Sequence, residues 1–205
     1  MKIKQIEIPQ IREDILRIEV EGITPLVTNK NHFAIGAEGS KDPDIKGSRN
    51  VKEDIPPEKA FHDSIHWIDE KTGKSGFPAR GFKAACVSAA LLEGVKKKSY
   101  NKRNVRASFF IPADLIEILG TPKMRSDITR PPRGAPKMTY RAEFWPWRAI
   151  VELIFAESIL SVAEIIQLFS VGGSRIGLGE DRPEKGGSWG RFKVVKAERL
   201  AGAGE

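Results

Sequence analysis

Leu16, Ile18 and Val20 alternate with Arg17, Glu19 and Glu21. That period of two predicts a half-buried strand over Glu13–Glu21. Gly22-Ile23-Thr24-Pro25-Leu26-Val27 extends it, and Pro25 makes that end an edge or a bulge. From Asn29 to Pro57 the chain is polar and keeps no period for about 30 residues. Phe61, Ile65 and Ile68 then repeat at helical spacing and predict a short helix over Pro57–Glu70, followed by a turn from Lys71 to Gly76. Phe82, Ala85, Cys86 and Ala89 form one apolar face of a second helix, starting at Pro78 and ending at Gly94. Arg106–Pro112 alternates as a strand, and Leu115–Leu119 is a further short apolar segment. Lys123–Lys137 carries Pro131, Pro132, Gly134 and Pro136, which excludes a regular helix or an interior strand and leaves an extended basic excursion. Strand character returns over Lys137–Ala156, with its core at Arg148–Phe155. Ser161 and Glu164 form a capping box ahead of the stripe Val162, Ile165, Ile166 and Phe169, and Gly172-Gly173 is the expected stop. Arg191–Leu200 is the last strand, with Phe192 and Val194 on one face.

Stripped of its insertions, this order is β-α-β-β-α-β. It predicts an α+β, ferredoxin-like fold: a four-stranded antiparallel sheet with two helices on one face. The expected organisation is one domain over 1–205, with insertions at about 29–70 and about 120–140. The open face of such a sheet is a common site for single-stranded RNA.

Composition narrows the classes. The 205 residues are 40% hydrophobic and 30% charged, which excludes a disordered chain. No apolar run approaches the ~18 residues that cross a bilayer. Met1-Lys2-Ile3-Lys4 leads into alternation rather than a signal-peptide core, so the expected location is cytoplasmic. Cys86 is the single cysteine; an internal disulfide and a Cys-rich zinc site are excluded. Net charge is +7, from 34 Lys+Arg and 27 Asp+Glu. From Lys71 to Arg148 there are 17 basic and 5 acidic residues, whereas the remainder is net −5. That stretch, with Tyr100, Phe109, Phe110, Tyr140, Phe144, Trp145 and Trp147 interleaved, predicts a continuous track for a polyanion. Trp145-Pro146-Trp147 reads as an edge-strand contact rather than a base platform.

The segment from Gly172 to Gly190 holds seven glycines in 19 residues, follows a capped helix and runs into Gly190-Arg191-Phe192. Glycines admit close backbone approach and expose amides to phosphate oxygens. The segment is neither a P-loop, lacking Gly-x-x-x-x-Gly-Lys-Ser/Thr, nor a dinucleotide fingerprint, since it precedes a strand. In this context the chain resembles the RAMP superfamily of CRISPR-associated RNA-binding proteins, and within it the repeating backbone subunit of effector complexes. Three segments carry the resemblance: Gly22-Ile23-Thr24-Pro25-Leu26 after the first strand, Phe77-Pro78-Ala79-Arg80-Gly81-Phe82-Lys83-Ala84-Ala85, and Gly172–Gly179 with Gly190-Arg191-Phe192. Gly81 here precedes Lys83 instead of following it, and Val87-Ser88 stands in place of a later arginine.

The resemblance implies a subunit that assembles with copies of itself along a guide RNA, by sequence-independent phosphate contacts and beside other CRISPR effector subunits. It implies a basic thumb over Thr121–Tyr140, with Arg125, Arg130, Arg133 and Lys137. Lys30, Arg80, Lys83, Lys96, Lys97, Arg175, Gly177, Gly179 and Arg191 are the other expected RNA contacts. Single-stranded DNA is an alternative ligand, and no cofactor is expected. Some relatives carry an RNA-cleaving aspartate in the loop after the first strand. Asp42, Asp44 and Glu38 fall in that range, and His32 is an acid–base candidate, so an endoribonuclease of the same fold is the second reading. A phage or structural oligomer with a basic interaction face is the third. His62 and His66 are four residues apart on the expected helix and could share a metal, but no third ligand is evident, and packing with Phe61 and Trp67 is preferred. Cys86 reads as a small core residue.

Overall fold

The computed structural model describes residues 12–30, 56–92, 95, 102–129 and 136–200. His32, Glu38, Asp42, Asp44, Lys96, Lys97, Arg130, Arg133 and the Lys137 side chain lie outside what is described.

Strand β1 (Asp14–Gly22) is an interior strand of the main sheet, one strand in from its edge. It pairs antiparallel with β9 (Arg148–Phe155) on one side and β10 (Phe192–Leu200) on the other. Beyond β9 follow β6 (Leu115–Leu119), β4 (Lys74–Pro78) and β3 (His66–Asp69), while the two-residue β5 (Phe109–Phe110) also pairs with β9. The strand order β10-β1-β9-β6 and its antiparallel pairing are those of the ferredoxin-like core, so the fold is α+β as the pattern predicted. Strands β4 and β3, the latter at the edge, widen the sheet beyond the expected four.

Alternation sets the two faces. Leu16, Ile18, Val20, Ala149, Val151 and Leu153 are buried beneath α2 (Ala79–Ala89) and α4 (Val162–Val171). Phe82, Ala85, Cys86 and Ala89 of α2 meet Ile165, Leu168 and Phe169 of α4 in the same apolar cluster. Burial pushes the Cys86 thiol strongly up, as suits a small core residue. The capping box on α4 is present: the Ser161 hydroxyl accepts from the Glu164 amide, and Glu164 accepts from the Ser161 amide at 3.0 Å.

A second antiparallel sheet joins the segment that follows β1 to the second insertion. Strand β2 (Leu26–Thr28) pairs with β8 (Lys137–Phe144), which pairs with β7 (Pro122–Thr129). Helix α1 (Pro57–Asp63) packs against it, and the Thr28 hydroxyl donates to the Ser64 carbonyl at 3.1 Å.

Four local expectations are corrected. The helix over Pro57–Glu70 ends at Asp63, because His66–Asp69 finds a strand partner in β4 and tertiary pairing overrides the helical spacing. Within the expected turn, Lys74–Gly76 belongs to β4. Arg106–Ser108 is the end of α3 (Lys102–Ser108), leaving only Phe109 and Phe110 as strand. By contrast, Pro122–Thr129 forms the edge strand β7, in keeping with the expected exclusion of a helix or an interior strand there. Gly172-Gly173 does not stop α4. The chain continues as a π-helical turn over Gly172–Ile176 and leaves helical geometry at Gly177, whose φ is 74°. A Cβ on Gly173 would enter the Phe192 carbonyl and ring, so this glycine serves close packing of that turn on β10. Among the described residues no helix is long and apolar enough to cross a membrane.

Candidate nucleic-acid interface

The open face of the main sheet offers little to RNA. Neither β1, β9 nor β10 places an aromatic ring on it; their rings, Phe155 and Phe192, are buried on the helix side. Its charges are largely paired: Arg17 with Glu152 at 2.6 Å, Lys196 with Glu198 at 2.6 Å, and Lys74 with Glu117 at 3.6 Å. Arg148 likewise reaches Glu21 at 3.6 Å. The basic stretch from Lys71 to Arg148 is therefore not one continuous track, since Lys74 and Arg148 are neutralised on this face. Trp147, expected in an edge-strand contact, is in the core with its indole N–H on the Thr24 carbonyl at 2.9 Å; Trp145 is exposed.

A groove lies instead where α2 begins. One part, of about 760 Å³, runs between the start of α2, the glycine-rich loop and β7–β8. A second, of about 590 Å³, continues toward the β5–β6 connection. His66, Pro78 and Arg80 line both. The glycine-rich loop is clamped to the second sheet by backbone bonds from Glu180 N to Val27 O (3.0 Å) and from Gly190 N to Pro25 O (2.6 Å). Arg141 pairs with Glu180 at 2.7 Å, and the Arg125 guanidinium sits 3.9 Å from the Trp189 ring centre. Gly179, at φ 72°, passes so close to the Val27 carbonyl that a Cβ would collide with it. A left-handed glycine is what lets the loop take this path.

The groove brings together Lys30, Arg80, Lys83, Gly177 and Gly179, from three separated segments of the chain. Arg80 is exposed, in the first turn of α2, which has no side-chain cap and no acidic residue there. A helix start without a side-chain cap, carrying a cation, favours an anion. Lys83 is half-buried, its Nζ donating to the Phe109 carbonyl at 2.8 Å, and burial lowers its pKa. The Gly177 amide is used internally, donating to Gly172 O at 2.8 Å.

Other expected contacts sit elsewhere. Arg125 is held by Asp127 at 2.9 Å and by Glu143, and these two carboxylates raise its pKa against the opposing effect of burial. Arg191 Nε donates to the Ser174 carbonyl at 3.1 Å. Arg175 is exposed but does not line the groove.

His66, Arg182, Lys185 and Trp189 also line the groove and were not singled out as RNA contacts from sequence. His66 had been paired with His62 on one helix. The structure puts His62 in α1 on Glu70 at 3.0 Å and His66 in β3, so the shared-metal geometry is lost. His66 is held below the usual imidazole value by burial first, then by the Lys30 and Arg80 cations. The glycine-loop half of the groove carries its own acids: Glu180 faces Arg141, and Glu184 faces Arg182 at 2.8 Å. Excess positive charge is thus concentrated in the other half, around Lys30, Arg80 and Lys83.

The architecture is that of an α+β, ferredoxin-like domain with a second sheet inserted beside the helix start. No protein-family model matches the chain, and no curated protein matches it. Among solved structures it is similar to the type III-B Cmr-beta bound to cognate target RNA, at a TM-score of 0.48 and 11% identity, covering 93% of this chain and 62% of that one. It is also similar to Cmr6 from Pyrococcus furiosus, at a TM-score of 0.42 and 8% identity, covering 91% of this chain and 100% of that one. The chain spans less than two thirds of the first.

Proposed function

We propose that this protein binds single-stranded RNA as a CRISPR-associated subunit, holding the strand mainly by its phosphates in the groove at the start of α2. The observation that carries the reading is the convergence of Lys30, of Arg80 and Lys83, and of Gly177 and Gly179 on one groove, from segments more than 40 residues apart in sequence. Cations at a helix start without a side-chain cap suit phosphate, and phosphate contacts fix position without reading bases. Assembly beside further copies along a guide RNA, and beside other effector subunits, follows the motif resemblance. In this reading Arg130, Arg133 and Lys137 add to the same phosphate path, and the role is antiviral defence without cleavage by this subunit.

The test is a mobility-shift titration of a single-stranded RNA at several salt concentrations. The three groove cations Lys30, Arg80 and Lys83 alone predict a slope of about −2 in log affinity against log salt, a loss of roughly 20-fold between about 50 and about 200 mM salt, and each further phosphate contact steepens it. Arg80→Glu should weaken binding to all sequences by at least about tenfold and make that slope shallower. Affinity that is indifferent to salt and to Arg80→Glu would sink the proposal. Labelled RNA incubated with and without divalent metal tests the endoribonuclease alternative, which requires cleavage.

A further inference from the structure

The half of the groove that holds the excess positive charge is not lined for phosphate alone. Phe110 lies at its edge with 58% of its surface exposed, while its neighbour Phe109 is buried against Phe169. Strand alternation forces this: Phe109 pairs with Phe155 on the core side, so Phe110 must face outward. Pro78, Ile111 and Leu115 supply an apolar floor beside it. Lys30, Arg80 and Lys83 line the same part. Besides His66, the polar residue that remains is Asp114, exposed and with no side-chain hydrogen bond or ion pair to another described residue. Its backbone carbonyl is occupied, accepting from the Ala79 amide at 2.9 Å, which fixes the residue at the start of α2.

A purely phosphate-binding surface would gain nothing from an unpaired carboxylate and would be weakened by it. An exposed ring, an apolar floor and one acceptor-only carboxylate, together with cations, instead match an unpaired nucleobase whose sugar-phosphate meets those cations. We infer that this part of the groove is a base subsite, with Phe110 stacking on the base and Asp114 accepting a hydrogen bond from an exocyclic amino group. Cytosine, adenine and guanine carry such a group; uracil has none, presents O4 where cytosine has its amino group, and offers the carboxylate only its ring N3–H. The subsite therefore discriminates against uridine. The inference rests on the RNA-binding reading and adds base preference to a contact set that is otherwise sequence-independent.

The experiment compares fluorescein-labelled ten-nucleotide oligo-rC, oligo-rA and oligo-rU by anisotropy, at one fixed salt concentration. The wild-type protein should bind oligo-rC and oligo-rA at least about fivefold more tightly than oligo-rU. Asp114→Asn supplies an N–H donor that fits uracil O4, so the preference for oligo-rC and oligo-rA over oligo-rU should collapse, while loss of the negative charge beside three cations strengthens binding of all three. Phe110→Ala should weaken all three by about tenfold, and Phe110→Tyr, which keeps the stacking surface, should restore them. Circular dichroism of Phe110→Ala checks folding, and Phe110→Tyr keeps the test decisive if that variant unfolds. RNA binding with equal affinity for the three oligomers overturns the base subsite alone. No binding of any oligomer overturns the RNA-binding reading beneath it. A Phe110→Ala protein with unchanged RNA affinity but an altered sedimentation coefficient assigns the surface to a second copy of the chain and overturns the subsite.

Discussion

His66 stands where the two parts of the groove meet, with Lys30 and Arg80 as its charged neighbours. Its folded-state pKa lies below the unfolded value, because burial and two cations disfavour the imidazolium. The unfolded chain therefore binds more protons on the acid side. The contribution is complete above the unfolded pKa, near 6.5, and is lost as pH falls toward the folded value. We expect the urea midpoint to fall between about pH 7.5 and about 5.5 by less in His66→Gln than in the wild type. Equal pH dependence of the two proteins would remove His66 from the account. Bound phosphate would act oppositely and raise the imidazole pKa, so RNA affinity should gain from mild acid in the wild type and not in His66→Gln.

At the scale of elements, the two ends of α4 do different work. At its start the reciprocal Ser161–Glu164 bonds satisfy backbone amides that the helix leaves open, and Ser161→Ala should cost about 1 kcal/mol in denaturant unfolding. At its end Gly173 lets the π-helical turn lie directly on Phe192, and Gly173→Ala should cost about 1–3 kcal/mol through overpacking. A smaller loss at Gly173 than at Ser161 would contradict the packing role. That turn delivers Gly177 and Gly179 to the groove, so Gly173→Ala should also weaken RNA binding, whereas Ser161→Ala should not. The capping box was legible because its residue types and spacing are local. The end of α4 was not, because two consecutive glycines read as a stop, and only contact with α2 and β10 makes them a site of close approach.

For the whole molecule, the decisive feature is how charge is distributed over faces. Linear counting of Lys71–Arg148 placed Lys74 and Arg148 with Arg80 and Lys83, yet the fold sends the first two to the open sheet face and the others to the groove. Charge reversal at Lys74 or Arg148 should then change RNA affinity by less than about twofold, against tenfold or more for Arg80→Glu. An equal effect at all three positions would restore a single continuous track and displace the groove.

The sequence by itself determined the ferredoxin-like order of strands and helices, the buried faces of β1, β9 and α2, and the cap of α4. Each of these depends on periodicity or on contacts within a few residues. Tertiary structure alone decided that His66 belongs to a strand and that β2 joins β7 and β8 in a second sheet. It also left Arg125 ion-paired with Asp127 and Glu143, and Phe110 exposed beside Asp114. These features depend on residues far apart in the chain meeting across a groove, and neither the period of the pattern nor its net charge encodes which of them meet.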